Sequence, residues 1–180
     1  MLSKVKKRII PKIFILDVDG VMTDGKFIYS EKGKIQKSFG PDDHDGLSLI
    51  SEFMEIRFIT GDKKGFKISK KRINNHMNFR LDLVSTVKRL DWIKQRYKLN
   101  EVVYMGDGLM DILVMNKVLY SICPTNGNDL TKKYSNFTTK RSGGDRAVAE
   151  ACLHLLNKFF KKYNPLKIPK NKKFSGAWKT

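Results

Sequence analysis

Two aspartates one residue apart, Asp17 and Asp19, close an apolar run and are followed at once by Gly20, in the stretch Ile13-Phe14-Ile15-Leu16-Asp17-Val18-Asp19-Gly20-Val21-Met22-Thr23-Asp24. Carboxylates paired in this way can attack phosphorus, exchange protons or hold a hard divalent cation. A second pair, Asp107 and Asp111, follows the apolar run Val102-Val103-Tyr104-Met105, and Thr60-Gly61 follows Ile56-Arg57-Phe58-Ile59. One strand running into an Asp-rich turn has an ordinary structural explanation, because turns favour Asp and Gly. Three apolar runs ending in polar punctuation do not share it.

Each of these runs reads as a strand buried on both faces, as in a parallel sheet. Ligands of open α/β sheets bind just beyond the carboxyl ends of the strands, so parallel neighbours would bring Asp17, Asp19, Thr60, Asp107 and Asp111 to one crevice. Clustered carboxylate oxygens without soft donors suit Mg²⁺, which takes a few carboxylates together with substrate phosphate and water. The cation would also offset the repulsion among the carboxylates.

The elements around these runs alternate. Residues 26–39 read as a β-hairpin turning at Glu31-Lys32-Gly33, too polar for the core sheet. Leu47, Ile50 and Phe53 place a helix over Asp45 to Phe53, and Phe66, Ile68 and Ile73 anchor a basic helix over Lys63 to Asn75. A short extended piece is expected near Phe79 to Val84, and a helix on Val87, Leu90, Ile93 and Tyr97. Leu109 to Val114 begins another helix, Leu119 to Cys123 is a strand, and Pro124 to Asn128 is a turn. Ala147, Val148, Ala151, Cys152, Leu155 and Phe159 mark a final amphipathic helix with Asp145 as its expected N-cap. The fold class is α/β: a Rossmann-like, mainly parallel sheet with helices on both faces and a protruding hairpin.

The chain has 180 residues, the size of one domain, and a formal net charge of +18. Five basic residues and no acids occur up to Lys12, and eight lysines and no acids from Asn157 onward, so thirteen of the excess charges are terminal. The organisation expected is a basic N-terminal segment at 1–11, one α/β domain at 12–160 and a basic tail at 161–180. Cys123 and Cys152 match no metal spacing and read as reduced core thiols. With neither a signal-type apolar segment at the start nor a membrane-length apolar run, a cytoplasmic location and no membrane partner are expected.

The run Asp17-Val18-Asp19-Gly20-Val21-Met22-Thr23-Asp24 resembles the first motif of the haloacid dehalogenase superfamily phosphatases, with Thr60 and Gly106-Asp107/Asp111 resembling the second and fourth. More narrowly, that run, the hairpin, Asp45-Gly46, and Lys140-Arg141-Ser142-Gly143-Gly144 with Arg146-Ala147-Val148 are similar to the 3-deoxy-D-manno-octulosonate 8-phosphate phosphatase family. The resemblance spans about Lys12 to Leu156. It implies a capless Rossmann-like phosphatase, usually a homotetramer, in which the hairpin and C-terminal loop of one subunit help close a neighbour's site. It also implies Asp17 as the nucleophile forming an aspartyl-phosphate, Asp19 as acid and base, and Mg²⁺ on Asp17, the Asp19 carbonyl and Asp107, with Asp111 direct or one shell out. Thr60 with Gly61 would hold a phosphoryl oxygen. The cation that neutralises nucleophile and phosphate is expected to be Lys88, with Arg89 the other choice.

Asp62 stands where such relatives commonly carry arginine, and Gly108 where they commonly carry a second aspartate. On the substrate side Asp45 is the first candidate. Lys140, Arg141 and Arg146 would bind a sugar-acid carboxylate or phosphate, or else form a solvated basic loop. The acidic loop Asp42-Asp43-His44-Asp45 is read as capping the following helix rather than as a second metal site. The function expected is a Mg²⁺-dependent phosphatase of a phosphorylated 2-keto-3-deoxy sugar acid, in the making of a surface polysaccharide. The alternatives are a nonulosonate 9-phosphate or other phosphosugar as substrate, or a polyanion-binding module built on the basic ends and their aromatics Phe159, Phe160, Tyr163, Phe174 and Trp178. Nucleic acid is the less favoured partner.

Overall fold

The computed structural model describes residues 9–167; residues 1–8 and 168–180, with Phe174 and Trp178, lie outside them. A six-stranded sheet has every adjacent pair parallel and the order β5-β4-β1-β6-β7-β8. Its strands are β1 (Ile13–Leu16), β4 (Glu55–Thr60), β5 (Arg80–Leu83), β6 (Val102–Met105), β7 (Tyr120–Cys123) and β8 (Phe137–Thr138). The remaining two, β2 (Ile28–Ser30) and β3 (Gly33–Gln36), form the separate antiparallel hairpin. β1 lies at the centre between β4 and β6, and the chain runs outward from it in both directions. That reversal makes the crevice at the carboxyl end of β1 the expected ligand site.

All four residues of β1 and of β6 are buried, as a central strand covered on both faces requires. Two apolar layers result. One holds Phe14, Leu16, Phe58 and Met105 under α1 (Asp42–Ile50) and α6 (Ala147–Phe159); the other holds Ile13, Ile15, Ile59 and Tyr104 under α3 (Arg89–Lys94) and α4 (Ile112–Met115). Gly46 lets α1 and α6 approach closely, since a Cβ there would lie 2.7 Å from the Ala149 Cα. α2 (Phe66–Lys70) widens into a π-helical turn at Lys71–His76, and α5 (Asp129–Tyr134) is capped by the Asn128 side chain. No cap domain is evident among the described residues, and none of their helices is long and apolar enough to cross a membrane.

Several local expectations are corrected. α1 starts at Asp42 and ends at Ile50, leaving Phe53 exposed against Phe160 with ring centroids 5.2 Å apart. The acidic loop does not cap α1, whose N-cap is Pro41. Asp43 instead caps α6 from outside that helix, accepting the Ala149 N–H at 2.9 Å, while the α6 N-cap position is Arg146 in a left-handed conformation, not Asp145. Val87 is exposed because a 3-10 turn, Thr86–Lys88, precedes α3 and shifts the helical phase. Both cysteines are buried and free, and Phe159, Phe160 and Tyr163 pack on the core instead of standing free as stacking platforms.

Candidate active site

β1 ends at Leu16, and the chain then turns back on itself, with the Val18 carbonyl accepting from the N–H groups of Val21, Met22 and Thr23. The buried Thr23 hydroxyl accepts from Gly20 and Gly25 and closes the turn. Gly20 has φ +82°, and a Cβ there would lie 2.0 Å from Asp107 Oδ2. Glycine therefore serves two needs at this position: a left-handed backbone and room for the Asp107 carboxylate, two residues past β6. Gly143 and Asn126 brace the same turn, for Asn126 donates to the Gly20 carbonyl at 3.1 Å and accepts from the Gly143 N–H at 2.7 Å.

Oxygens of Asp17, Asp107 and Asp111 lie within 4.8 Å of one another, the only such acidic grouping among the described residues. Arg89, 3% exposed, reaches into it: one terminal nitrogen, Nη1, lies 2.7 Å from Asp17 Oδ2, 2.5 Å from Asp111 Oδ1 and 3.0 Å from the Tyr104 hydroxyl. Tyr104 rises from the apolar layer and donates to Asp111 Oδ1. The other Asp111 oxygen accepts from the N–H groups of Asp107 and Gly108. Asp111 thus has both oxygens engaged and orients the cluster; Asp17 is held as well, by the Val18 N–H on Oδ1 and by Arg89 on Oδ2.

Burial, with Asp111 adding to it and Arg89 opposing it, pushes the Asp17 carboxyl up to about 7. Burial and the Asp17 and Asp111 charges do the same to Asp107, also to about 7. Burial opposes the Arg89 charge, but the Asp17 and Asp111 carboxylates beside it raise its pKa above the ordinary arginine value, so it keeps its proton. Were all three carboxylates ionised, the single guanidinium would leave two negative charges, the complement of a divalent cation on hard oxygen donors. Arg89 Nε is buried without a hydrogen-bond partner among the described residues.

Asp19 faces the opposite wall. Lys37, whose side chain is wholly buried at the end of the hairpin, places Nζ 2.7 and 3.0 Å from the two Asp19 oxygens. The same ammonium reaches Asp62 Oδ2 at 2.8 Å and Ser69 Oγ at 2.9 Å. Lys34 also binds Asp62 Oδ2, at 2.6 Å. Burial opposes ionisation of Asp62, but the hydrogen bonds from Lys34 and Lys37 prevail and hold its carboxyl at about 2. The Thr60 hydroxyl accepts from the Asp62 N–H and lies 3.5 Å from Asp19.

Asp17, Asp19, Thr60, Gly61, Asp107 and Asp111 therefore meet at one edge of the sheet. Lys88 does not: it is exposed, and Arg89, one residue on, occupies the place beside Asp17. Asp45 lines a groove between α1 and α6 with Asp42 and Tyr163 instead of the carboxylate cluster. Lys140 and Arg141 are exposed on the loop that leads into the Gly143 contact, and Arg146 is tied to Asp42 at 2.6 Å. Lys34, Lys37 and Tyr104 were not legible as site residues. The lysines sit in a polar hairpin, and Tyr104 reads as one more buried strand residue.

No protein-family model matches the chain. The 3-deoxy-D-manno-octulosonate 8-phosphate phosphatase of Escherichia coli K12 is 31% identical over 150 residues, covering 81% of this chain and 79% of that protein. Its counterpart from Yersinia pestis is 30% identical over 146 residues, 78% and 77% of the two chains. Among solved structures, the 3-deoxy-D-manno-octulosonate 8-phosphate phosphatase of Moraxella catarrhalis, in complex with magnesium, phosphate and KDO, superposes with a TM-score of 0.71 at 26% identity, covering 82% and 86% of the chains.

Proposed function

The chain belongs to the 3-deoxy-D-manno-octulosonate 8-phosphate phosphatase family of the haloacid dehalogenase superfamily, a phosphoric monoester hydrolase, and we propose that it releases phosphate from a phosphorylated 2-keto-3-deoxy sugar acid through an aspartyl-phosphate on Asp17. The observation that carries this reading is the meeting of Asp17, Asp107 and Asp111 with a buried arginine at the carboxyl end of the central strand.

Asp17 attacks phosphorus. Its carboxylate is aimed by the Val18 N–H at 2.7 Å on Oδ1 and by Arg89 on Oδ2. A carboxylate nucleophile splits the displacement into two easier steps. Asp19, two residues on and facing the same crevice, protonates the leaving sugar oxygen and then takes a proton from the water that hydrolyses the acyl phosphate. Arg89, the Thr60 hydroxyl and the Gly61 N–H hold the phosphoryl oxygens. Asp17, the Asp19 carbonyl and Asp107 would hold Mg²⁺, with Asp111 orienting them and Arg89. Mg²⁺, when bound, neutralises phosphoryl charge and aligns the group for in-line attack.

Lys140 and Arg141, exposed beside the loop that braces Gly20, are the groups proposed to meet the sugar-acid carboxylate, with Arg146 and Asp45 further out. Exposed Ile28, Tyr29 and Ile35 on the hairpin support assembly with further copies of the chain, for which a tetramer is proposed.

The test is phosphate release from a panel of sugar-acid phosphates with and without Mg²⁺, comparing the wild type with Asp17→Asn. Metal-dependent release that Asp17→Asn abolishes supports the reading. Turnover indifferent to the metal or to the substitution overturns it.

A further inference from the structure

A lysine with no exposed side-chain surface is unusual, because an ammonium is costly to bury and a methionine of similar length would fill the same space without that cost. Lys37 is such a residue, and its partners lie on the rim of the phosphate site: both oxygens of Asp19, then Asp62 and Ser69. Asp62 is itself firmly held, with one oxygen bound by Lys34 and Lys37 and the other accepting the Gly65 N–H at 3.0 Å. Among the described residues, the other side chain near the Asp19 carboxylate is Thr60, whose hydroxyl approaches to a long 3.5 Å. Lys37 therefore supplies the short contacts that fix this side chain, and it does so from the hairpin of the same chain.

We propose that Lys37, anchored by Asp62, is a positioning residue that holds the Asp19 carboxylate toward the leaving-group oxygen. The proposal rests on the reading of Asp19 as the proton donor. It assigns the hairpin a task within its own subunit: docking the hairpin and orienting the acid–base group become one event, because the same ammonium does both. Lys34 serves the docking alone, since it touches Asp62 and stacks 3.2 Å from the Phe27 ring centroid.

A misplaced proton donor harms reactions with basic leaving groups and spares those whose leaving group departs unaided. The experiment compares kcat/KM for phenyl phosphate and p-nitrophenyl phosphate in wild type, Asp19→Asn, Lys37→Met, Asp62→Asn and the double variant K37M/D19N, each checked for folding by circular dichroism. General acid catalysis contributes at least about 100-fold, so Lys37→Met is expected to cost phenyl phosphate about tenfold more than p-nitrophenyl phosphate. Asp62→Asn shifts the ratio in the same direction by less, and the double variant is no worse than Asp19→Asn. Equal losses on both substrates in Lys37→Met, or losses that multiply in the double variant, overturn the role of Lys37 while leaving Asp19 as the donor. Should Asp62→Asn be the variant that folds where Lys37→Met does not, an unchanged ratio in it overturns the proposal equally. An Asp19→Asn variant without leaving-group discrimination overturns both readings together.

Discussion

Arg89 and Asp17, 72 residues apart in the chain, meet through one guanidinium nitrogen 2.7 Å from one carboxylate oxygen. That nitrogen also serves Asp111, so the side chain that faces the proposed nucleophile is held by the carboxylate that orients the metal site.

Replacing Arg89 by methionine is expected to lower kcat roughly 100-fold or more, the scale for losing one preorganised charge donor at a developing anion. Arg89→Lys should recover part of it. Lys88→Met, altering an exposed side chain one residue away, should stay within a few-fold of wild type. Steady-state kinetics on the three variants checks this, and a larger loss at Lys88 would reverse the assignment.

Metal-free protein should lose stability as pH rises. Asp17 and Asp107 have folded-state values near 7, above the ordinary 3.8, so the folded state binds protons more tightly than the unfolded one between those limits. Stability from these groups is full below about 4 and is lost as pH climbs through 7. A divalent cation competes with those protons, so the Tm increase produced by saturating Mg²⁺ should be larger at pH 8 than at pH 5.5. Differential scanning calorimetry at the two pH values, with and without Mg²⁺, reads the difference; equal increments would contradict it.

Gly20→Ala places a Cβ where Asp107 Oδ2 lies 2.0 Å away and forces a left-handed conformation on alanine. The backbone strain alone costs about 1–2 kcal/mol. Displacement of Asp107 should weaken Mg²⁺ activation by at least tenfold, read as a rise in the Mg²⁺ concentration giving half-maximal activity.

Asp43→Ala removes the acceptor that caps α6 from α1. Losing such a cap costs about 1–2 kcal/mol, measurable as a lower urea midpoint. Asp43→Asn keeps an acceptor oxygen. Burial lifts the Asp43 carboxyl to about 6, so the wild type loses this group's contribution as pH rises from 4 through 6, and the Asn variant should not.

The convergence of Asp17, Thr60, Asp107 and Asp111 was legible in the sequence because each follows an apolar run, and parallel strands present their carboxyl ends together. The choice between Lys88 and Arg89 was not, because it depends on the 3-10 turn, Thr86–Lys88, that precedes α3. Asp43 sits 106 residues from the N–H it caps, beyond the reach of any local pattern. Lys37 ends a hairpin whose neighbours are exposed, and only the packed chain shows its ammonium to be buried.

Acid quenching of Mg²⁺-activated enzyme during turnover, followed by peptide mass spectrometry, reads whether Asp17 carries the phosphoryl group. A phosphate adduct on the peptide bearing Asp17, sensitive to hydroxylamine and missing in Asp17→Asn, is the expected result. Full turnover with no adduct there, or an adduct on another residue, would contradict it.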